Sequence, residues 1–240
     1  MPRPRPQPTI GILGGMSDQA TGEYYRLINR GLNVRYGGWD NAEIAMVSVN
    51  FGNIEHFVRA GLWDEAERYL SEKVDRLERA GADVVLCVSN TMHRVVEPIM
   101  ARRQTPFIHI ADPTGAAIRD AGLRKVALLG TRSTMETPAL SARLADRYGV
   151  ECLVPGPEDR RIVDRVIFDE LVRNVREPAS KAEYLRVIDR LRRDGAEGVI
   201  LGCTEIFLLV APEDVPGFPV FDTTALHVDA AVDFAASRAG

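Results

Sequence analysis

The chain has 240 residues, of which 45% are apolar and 27% charged, and its formal net charge at pH 7 is −4. This composition is typical of a globular protein with one large domain or two small ones. It argues against a nucleic-acid-binding surface, because no lysine or arginine block occurs beyond Arg3 and Arg5, and against a disulfide framework, because the three cysteines are scattered. Without a signal peptide or an apolar run of about 18 residues, we expect a cytoplasmic protein with no membrane partner.

The N-terminal segment combines a proline-rich tail with the first strand and turn. Residues 1–8 contain four prolines and two arginines, and we expect them to be disordered. A buried strand at 9–13 is followed by Gly14-Gly15-Met16-Ser17 and a helix that begins near residue 17 or 18. Backbone N–H groups at a helix start attract anions, so Met16 and Ser17 are candidate ligand contacts, with an ordinary turn as the alternative. The glycines lack the GxGxxG spacing of a dinucleotide site.

The rest of the chain alternates strands with helices. Further strands are predicted at 43–49, 84–88, 107–110, 125–129, 152–154, 198–201 and 220–221. Helices are predicted after residue 53, at 63–79, from 112, at 137–148, 162–175 and 181–193, and after 222, with a turn at 130–134 and a polar loop at 155–161. This alternation indicates parallel sheets, whose ligands bind at the carboxyl ends of the strands.

One unit of sequence occurs twice. Residues 81–91 (GADVVLCVSNT) align without a gap with residues 195–205 (GAEGVILGCTE), and 74–83 matches 188–197 at six of ten positions. A period this long is too large for a solenoid and indicates two similar α/β lobes, with chance similarity as the alternative. We therefore predict an α/β fold of two pseudosymmetric lobes, each a parallel sheet flanked by helices. The first lobe is placed at 9–113, joined by a C-terminal helix at 222–240, and the second at 114–221.

Polar side chains cluster where the predicted strands end. Ser89 and Cys203 are equivalent in the repeat, so a pseudo-twofold axis would place them on opposite sides of a cleft between the lobes. Such a pair suits removal of a proton from one face of a carbon atom and its return to the other face. A thiolate is a workable base, because the thiol pKa of about 8.5 falls near helix N-termini. The alternative for Cys203 is a buried, inert thiol, which is our interpretation of Cys87 and Cys152.

Three motifs carry a family resemblance. They are Ile10-Gly11-Ile12-Leu13-Gly14-Gly15-Met16-Ser17, Ser89-Asn90-Thr91 and Leu201-Gly202-Cys203-Thr204-Glu205-Ile206. Together they resemble the signatures of the aspartate/glutamate racemase superfamily, specifically its aspartate racemase branch, over essentially the whole chain after the tail. The resemblance implies an active site in a cleft between two lobes and racemisation of acidic amino acids by paired cysteines. It also implies that no cofactor is used and that the protein is a homodimer.

Ser89 departs from the pattern of this superfamily. Members with two catalytic cysteines have Cys-Asn-Thr where this chain has Ser89-Asn90-Thr91, so one half of the acid/base pair is changed. Cys87 cannot substitute, because an offset of two residues places it inside the strand. Some relatives that resemble amino-acid racemases carry a hydroxyl residue here, and racemase stays the first interpretation.

The mechanistic hypothesis assigns Cys203 and Ser89 as the catalytic residues. The Cys203 thiolate takes the α-proton and Ser89 supplies a proton to the opposite face, so turnover should be faster from the enantiomer whose hydrogen points at Cys203. The α-carboxylate is expected to contact Asn90, Thr91 and Thr204, while the 131–134 turn and Arg161 meet the other acidic end. The full set of predicted substrate contacts is Met16, Ser17, Asn50, Asn90, Thr91, Thr131, Thr134, Arg161, Thr204 and Glu205. The alternative for the adjacent pair Arg160 and Arg161 is a solvated loop face.

Two rival functions stay open at this point. Single-cysteine members of the superfamily that resemble arylmalonate decarboxylases need only one thiol, so a decarboxylase or isomerase of a dicarboxylic acid is one rival. The other is a non-catalytic binder of acidic metabolites. His93 could orient a ligand or Glu205 or be a satisfied polar group, and His109 and His227 are interpreted as structural. No metal-ligand spacing is present, and the sequence leaves open which acidic amino acid is preferred.

Overall fold

The computed structural model of the protein describes residues 6–238. Most of the predicted disordered tail, residues 1–5, lies outside the described residues. Residues 6–8 have no regular secondary structure, and the Gln7 side chain donates a hydrogen bond to the Asn41 carbonyl at 3.1 Å. The chain divides into two compact units. One comprises the chain up to Ile110 together with the segment from His227 onward, and the other is Ala111–Leu226.

The first unit is built on a parallel four-stranded sheet in the order β2-β1-β3-β4. Its strands are β1 (Ile10–Gly14), β2 (Ile44–Ser48), β3 (Val84–Cys87) and β4 (Phe107–Ile108). Its helices are α1 (Asp18–Tyr36), α2 (Phe51–Ala60), α3 (Trp63–Arg79) and α4 (His93–Met100), and it is completed by most of α10 (Thr223–Arg238).

The second unit repeats this plan, with a parallel sheet in the order β6-β5-β7-β8. Its strands are β5 (Lys125–Gly130), β6 (Glu151–Leu153), β7 (Val199–Gly202) and β8 (Val220–Asp222). Its helices are α5 (Ala111–Asp120), α6 (Arg132–Glu136), α7 (Pro138–Tyr148), α8 (Pro157–Asp169) and α9 (Pro178–Arg193), with short 3-10 helices at Leu171–Arg173, Ile206–Leu208 and Pro212–Asp214. The predicted fold class, two α/β lobes with parallel sheets flanked by helices, is confirmed; the predicted domain boundaries stay a prediction.

The sequence repeat has a structural counterpart at the start of the central strands. Asp83 accepts a hydrogen bond from the Thr9 N–H at 2.7 Å, just before β1. Its counterpart Glu197 accepts from the N–H groups of Arg124 and Lys125, at the start of β5, at 2.8 and 2.9 Å. These backbone bonds lower the pKa of Glu197. Each acidic residue therefore anchors the equivalent strand of its own unit.

The core of the first unit lies on both faces of its sheet. Alternate residues of β1 and β3 point to opposite faces, as expected for a strand. Ile10, Ile12 and Leu86 pack with α1 and α10, while Leu13 and Cys87 pack with α3 and α4. All five of these side chains are fully buried. Within residues 6–238, no helix combines the length and the apolar character needed to cross a membrane.

Three local predictions in the second unit are wrong. The predicted polar loop at 155–161 is the start of α8, because a proline in its first turn and the acidic residues Glu158 and Asp159 favour a helix N-terminus. The predicted turn at 130–134 contains the start of α6, which is capped by the Thr131 side chain. The predicted helix at 162–175 ends at Asp169, and the chain reverses at Asn174, whose φ is 57°.

Candidate active site

Cys203 lies at the carboxyl end of β7, inside a hydrogen-bonded group of three consecutive residues. Its Sγ donates to Glu205 Oε2 at 2.9 Å, and Thr204 Oγ1 donates to the same oxygen at 3.0 Å. All three side chains are buried. A carboxylate that receives two donors in a buried setting is compensated for part of its lost hydration. The thiol therefore has a fixed partner that can accept its proton.

The surroundings of Cys203 favour the neutral thiol. Burial raises the pKa of the Cys203 thiol well above its ordinary value, and the charge of Glu205 and the bond to its carboxylate raise it further. The Glu205 backbone opposes this shift, and the charge of Asp164 adds a smaller upward contribution. A thiol near a helix N-terminus would have a lowered pKa, but at Cys203 burial and the neighbouring anion act in the opposite direction.

Two glycines bring the central strands of the second unit close together beside Cys203. Gly130 on β5 is in register with Gly202 on β7. A Cβ atom on Gly130 would lie 2.7 Å from the Gly202 carbonyl oxygen, and one on Gly202 would lie 2.7 Å from the Leu129 carbonyl oxygen. Larger residues would push the strands apart, so these glycines fix where Cys203 leaves the sheet.

The segment after β5 presents two buried threonine hydroxyls. Thr131 caps α6, since its Oγ1 accepts the Thr134 N–H at 3.2 Å, and the two hydroxyl oxygens lie 3.1 Å apart. Asp164 on α8 accepts the Arg132 N–H at 2.7 Å. A carboxylate at this end of a helix is favoured by the helix dipole. Asp164 thus holds the Thr131 segment and also contributes to the electrostatics of Cys203.

A third polar segment follows β8, the neighbour of β7. Thr223 Oγ1 donates to the Leu201 carbonyl at 2.8 Å, and Asp222 accepts the Thr224 N–H at 2.9 Å. Thr224 Oγ1 is buried and has no hydrogen-bond partner among the described residues. The carboxyl edge of the second sheet therefore collects the ends of β5, β7 and β8.

In the first unit, Ser89 and Asn90 are buried just after β3. Ser89 Oγ accepts the Met92 N–H at 3.4 Å, and the Ser89 carbonyl lies 2.7 Å from His93 Nδ1. The Ser89 hydroxyl accepts the bond from Met92 with one of its lone pairs. This bond does not use the hydroxyl hydrogen, which Ser89 can donate to another group. Thr91 is partly exposed.

The glycine turn after β1 is tightly packed. Gly15 has a φ of 84°, and a Cβ atom there would lie 2.2 Å from the Val49 carbonyl oxygen, so only glycine fits. The Gly15 N–H donates to Thr21 Oγ1 at 2.8 Å. Ser17 caps α1, and its neighbour Met16 belongs to the apolar core. The Gly15 N–H is thus used within the turn, which weakens the prediction of an anion site there.

Comparisons with known proteins agree with this arrangement of sheets. A family model for Asp/Glu/hydantoin racemases matches residues 13–231. A crystal structure of a candidate Asp/Glu racemase from Yersinia pestis is 42% identical, with a TM-score of 0.87 over 95% of this chain and 99% of that one. The chain belongs to the Asp/Glu/hydantoin racemase family. The predicted superfamily is therefore confirmed.

Two further structures fit the family assignment. An aspartate racemase homologue from Pyrococcus horikoshii is 32% identical, with a TM-score of 0.80 over 95% of this chain and 99% of that one. The aspartate racemase from Picrophilus torridus is 20% identical, with a TM-score of 0.75 over 95% of this chain and 94% of that one. The latter similarity supports the fold alone.

The predicted site residues of this racemase-family chain fall into two groups, each within one unit. Those of the first unit are Met16, Ser17, Asn50, Ser89, Asn90 and Thr91. Those of the second unit are Thr131, Thr134, Arg161, Cys203, Thr204 and Glu205. All except Arg161 follow a strand at the carboxyl edge of its sheet. Asn50 is exposed and caps α2 by accepting the Gly52 N–H at 2.9 Å.

Arg161 differs from the other predicted contacts because it lies on α8 and does not follow a strand directly. Its side chain is exposed on α8, and its Nε donates to the Pro157 carbonyl at 3.3 Å. Arg160 is less exposed and faces Glu136, with 3.6 Å between Nη1 and Oε1. Within residues 6–238, no group of three or more histidine, cysteine, aspartate or glutamate side chains is arranged to hold a metal ion.

The sequence analysis missed Asp164, and it named His93 without its partner at Ser89. Asp164 acts on Cys203 from α8, and no local sequence pattern connects the two positions. His93 follows Ser89 by four residues, and this spacing at a strand-to-helix junction is the signal that could have indicated its bond to the Ser89 carbonyl.

Proposed function

We propose that the protein is a cofactor-independent racemase of an acidic amino acid, aspartate or glutamate. The single observation that carries this proposal is the buried Cys203 thiol in hydrogen-bond contact with the Glu205 carboxylate. Proton abstraction next to a carboxylate requires a base within reach of the α-carbon, and a thiol becomes such a base when a neighbouring group accepts its proton. A thiol with an adjacent proton acceptor meets this requirement, whereas a simple metabolite binder has no need of it.

Four proton transfers convert one enantiomer to the other and return the site to its starting state. Cys203 Sγ passes its proton to Glu205 Oε2, a transfer that the positive α-ammonium group of the substrate favours by stabilising the thiolate. The thiolate takes the α-proton and leaves a carbanion that is delocalised into the carboxylate. Ser89 Oγ donates its proton to the opposite face of that carbon, which gives the other enantiomer. Solvent water then carries the proton of Glu205 back to the Ser89 oxygen.

The substrate's two carboxylates require separate contacts. We assign the α-carboxylate to the side chains of Asn90 and Thr91 and to the backbone of Thr204, whose hydroxyl already donates to Glu205. We assign the distal carboxylate to the segment from Thr131 to Thr134. Buried hydroxyl and amide donors suit a carboxylate, because each compensates part of its lost hydration. Met16, Ser17 and Asn50 are proposed as further contacts, and Arg161 is proposed to supply the positive charge for the distal end.

The two proton-transfer groups are unequal, and this has a measurable consequence. The enantiomers have the same free energy in water, so kcat/KM for racemisation must be equal in both directions. The faster turnover expected from one enantiomer therefore cannot be a difference in kcat/KM. Deuterium exchange can also occur without racemisation, when a deuteron is returned to the same face of Cα from which the proton was removed. The rate of this exchange can differ between the two enantiomers. A serine hydroxyl is a far weaker base than a thiolate, so exchange at Cα in D2O should be faster for the enantiomer whose hydrogen faces Cys203.

Replacement of Cys203 by alanine tests the proposal. C203A should lose deuterium exchange at Cα for the enantiomer whose hydrogen faces position 203, and should lose racemisation, because no base remains on that face. Only the slow exchange at the Ser89 face should persist, and substrate binding measured by calorimetry should be retained. Exchange is followed by NMR with aspartate and with glutamate. If the wild-type protein binds these amino acids but exchanges neither α-proton, the protein is a binder and the racemase proposal is wrong.

Ser89 in place of a second thiol favours one alternative function. A decarboxylase or isomerase of a dicarboxylic acid needs only one proton donor, and Cys203 alone would be sufficient for it. Loss of carbon dioxide from a substituted malonate, together with no exchange of aspartate or glutamate, would support this alternative. A homodimer and a cytoplasmic location are also proposed, and light scattering of the purified protein tests the former.

A further inference from the structure

His93 joins the Ser89 segment to the end of β4. Its side chain is 2% exposed. Its Nδ1 lies 2.7 Å from the Ser89 carbonyl oxygen, and its Nε2 lies 3.1 Å from the Ile110 backbone nitrogen. Both contacts lie within the first unit and involve backbone atoms, so the imidazole ring connects two segments that are far apart in the sequence.

These contacts determine the protonation state of His93. The Ile110 nitrogen is a backbone N–H and can only donate, so Nε2 must offer its lone pair. The Ser89 carbonyl can only accept, so Nδ1 must carry the hydrogen. His93 is therefore neutral in this geometry, with its proton on Nδ1. A second proton on Nε2 would displace the Ile110 N–H.

The surroundings of His93 contain other titratable groups. The His109 and His227 rings lie with centroids 4.4 and 5.8 Å from that of His93. His227 Nδ1 contacts the Tyr24 hydroxyl at 2.8 Å, and His227 Nε2 donates to the Ile108 carbonyl at 2.8 Å, because a carbonyl can only accept. Glu97 Oε2 lies 3.7 Å from His109 Nε2. A positive charge on His93 would thus arise beside two other imidazoles.

We propose that His93 is a positioning residue for proton transfer by Ser89. This inference rests on the proposed racemase function. The hydrogen bond from His93 to the Ser89 carbonyl fixes the backbone that carries the Ser89 hydroxyl. The hydrogen bond from the Ile110 N–H holds the His93 ring in place. His93 is assigned no contact with the substrate, and its effect is confined to the half-reaction on the Ser89 face.

Two substitutions separate the two hydrogen bonds of His93. In H93N, the amide nitrogen takes the place of Nδ1 and can keep the bond to the Ser89 carbonyl. In H93Q, the longer side chain takes the place of Nε2 and can keep the bond to Ile110 but loses the one to Ser89. His56 is exposed on α2, so H56Q is the matched control.

The readout is deuterium exchange at Cα, measured separately for each enantiomer. A displacement of the reacting group by about 1 Å can cost roughly 10²-fold in rate. H93Q should therefore slow exchange at the Ser89 face by roughly tenfold to a hundredfold and leave exchange at the Cys203 face little changed. H93N should restore most of the Ser89-face exchange.

Several outcomes would overturn the positioning role. Equal slowing of both faces in H93Q, or equal effects of H93Q and H93N, would mean that His93 is merely structural. If neither variant folds, the wild-type protein provides the test: nitrogen-15 NMR of its histidines follows His93 protonation, and Ser89-face exchange should fall in step with it. Constant exchange through that titration would refute the proposal. Absence of exchange in the wild-type protein would instead refute the racemase function.

Discussion

At the residue scale, the buried thiol and its carboxylate partner decide the chemistry. The sequence indicated Cys203 as the reactive group because it follows a glycine at the end of a buried strand. It could not indicate that the Cys203 thiol points at Glu205, which was predicted only as a substrate contact. Side-chain directions at the end of a strand depend on the following turn, here a 3-10 helix at Ile206–Leu208.

Replacing Glu205 with glutamine separates its two effects on Cys203. An amide cannot take the thiol proton, so E205Q should reduce Cα exchange by roughly 10²- to 10⁴-fold. The same change removes a negative charge that raises the pKa of the Cys203 thiol. Alkylation of Cys203 at mildly alkaline pH, followed by mass spectrometry, should therefore become faster. Cys87 serves as the internal control, and unchanged exchange or slower alkylation of Cys203 would contradict the assigned role.

At the element scale, amphipathic patterns predicted secondary structure correctly, whereas polar stretches did not. The predicted helix at 63–79 coincides with α3, because its apolar residues recur on one face. The predicted loop at 155–161 failed because its charged residues belong to the first turns of α8 rather than to a loop. Polarity alone does not distinguish a solvated loop from the acidic start of a helix.

The glycine turn after β1 gives a stability prediction at this scale. G15A introduces a Cβ atom 2.2 Å from a backbone oxygen at a positive φ, so it should lower the free energy of unfolding by more than about 1 kcal/mol. G22A is the matched control: Gly22 lies exposed within α1 with open space around its Cβ position.

G22A should raise the free energy of unfolding by about 0.4–1 kcal/mol, because alanine restricts the unfolded chain more than glycine does. Urea unfolding measures both variants. Equal effects of the two substitutions would show that the conformation of Gly15 is not what constrains the turn.

At the scale of the whole molecule, the repeat was the most informative feature of the sequence. Equivalent strand orders in the two units follow from it, and Asp83 and Glu197 anchor equivalent strands. The positions at which the repeats differ, Ser89 against Cys203, were also evident from the sequence. The pKa of Cys203 was not, because it depends on burial and on Asp164, which is distant in the sequence.

Raised thiol pKa values predict a loss of stability in alkali. Burial raises the pKa of Cys87, Cys203 and Cys152, the last to about 12. Thiols of the unfolded chain ionise near pH 8.5, about as model peptides do. Between about pH 8.5 and 12, the folded protein therefore binds more protons than the unfolded chain, and the free energy of unfolding should fall as the pH rises.

Denaturant unfolding across this pH range measures the slope. C152V removes one of the contributing thiols, and its slope should be shallower than that of the wild-type protein. A slope that is the same in both proteins would show that Cys152 ionises equally in the folded and unfolded states.

The central measurement is deuterium incorporation at Cα for each enantiomer of the substrate, in the wild-type protein and in S89C. The wild-type protein should exchange one enantiomer much faster than the other, because only one face meets a thiolate. In S89C, a second thiol should accelerate the slower exchange and bring the two rates closer together. Equal exchange of both enantiomers by the wild-type protein, or no gain in S89C, would contradict the proposed division of proton transfer between Cys203 and Ser89.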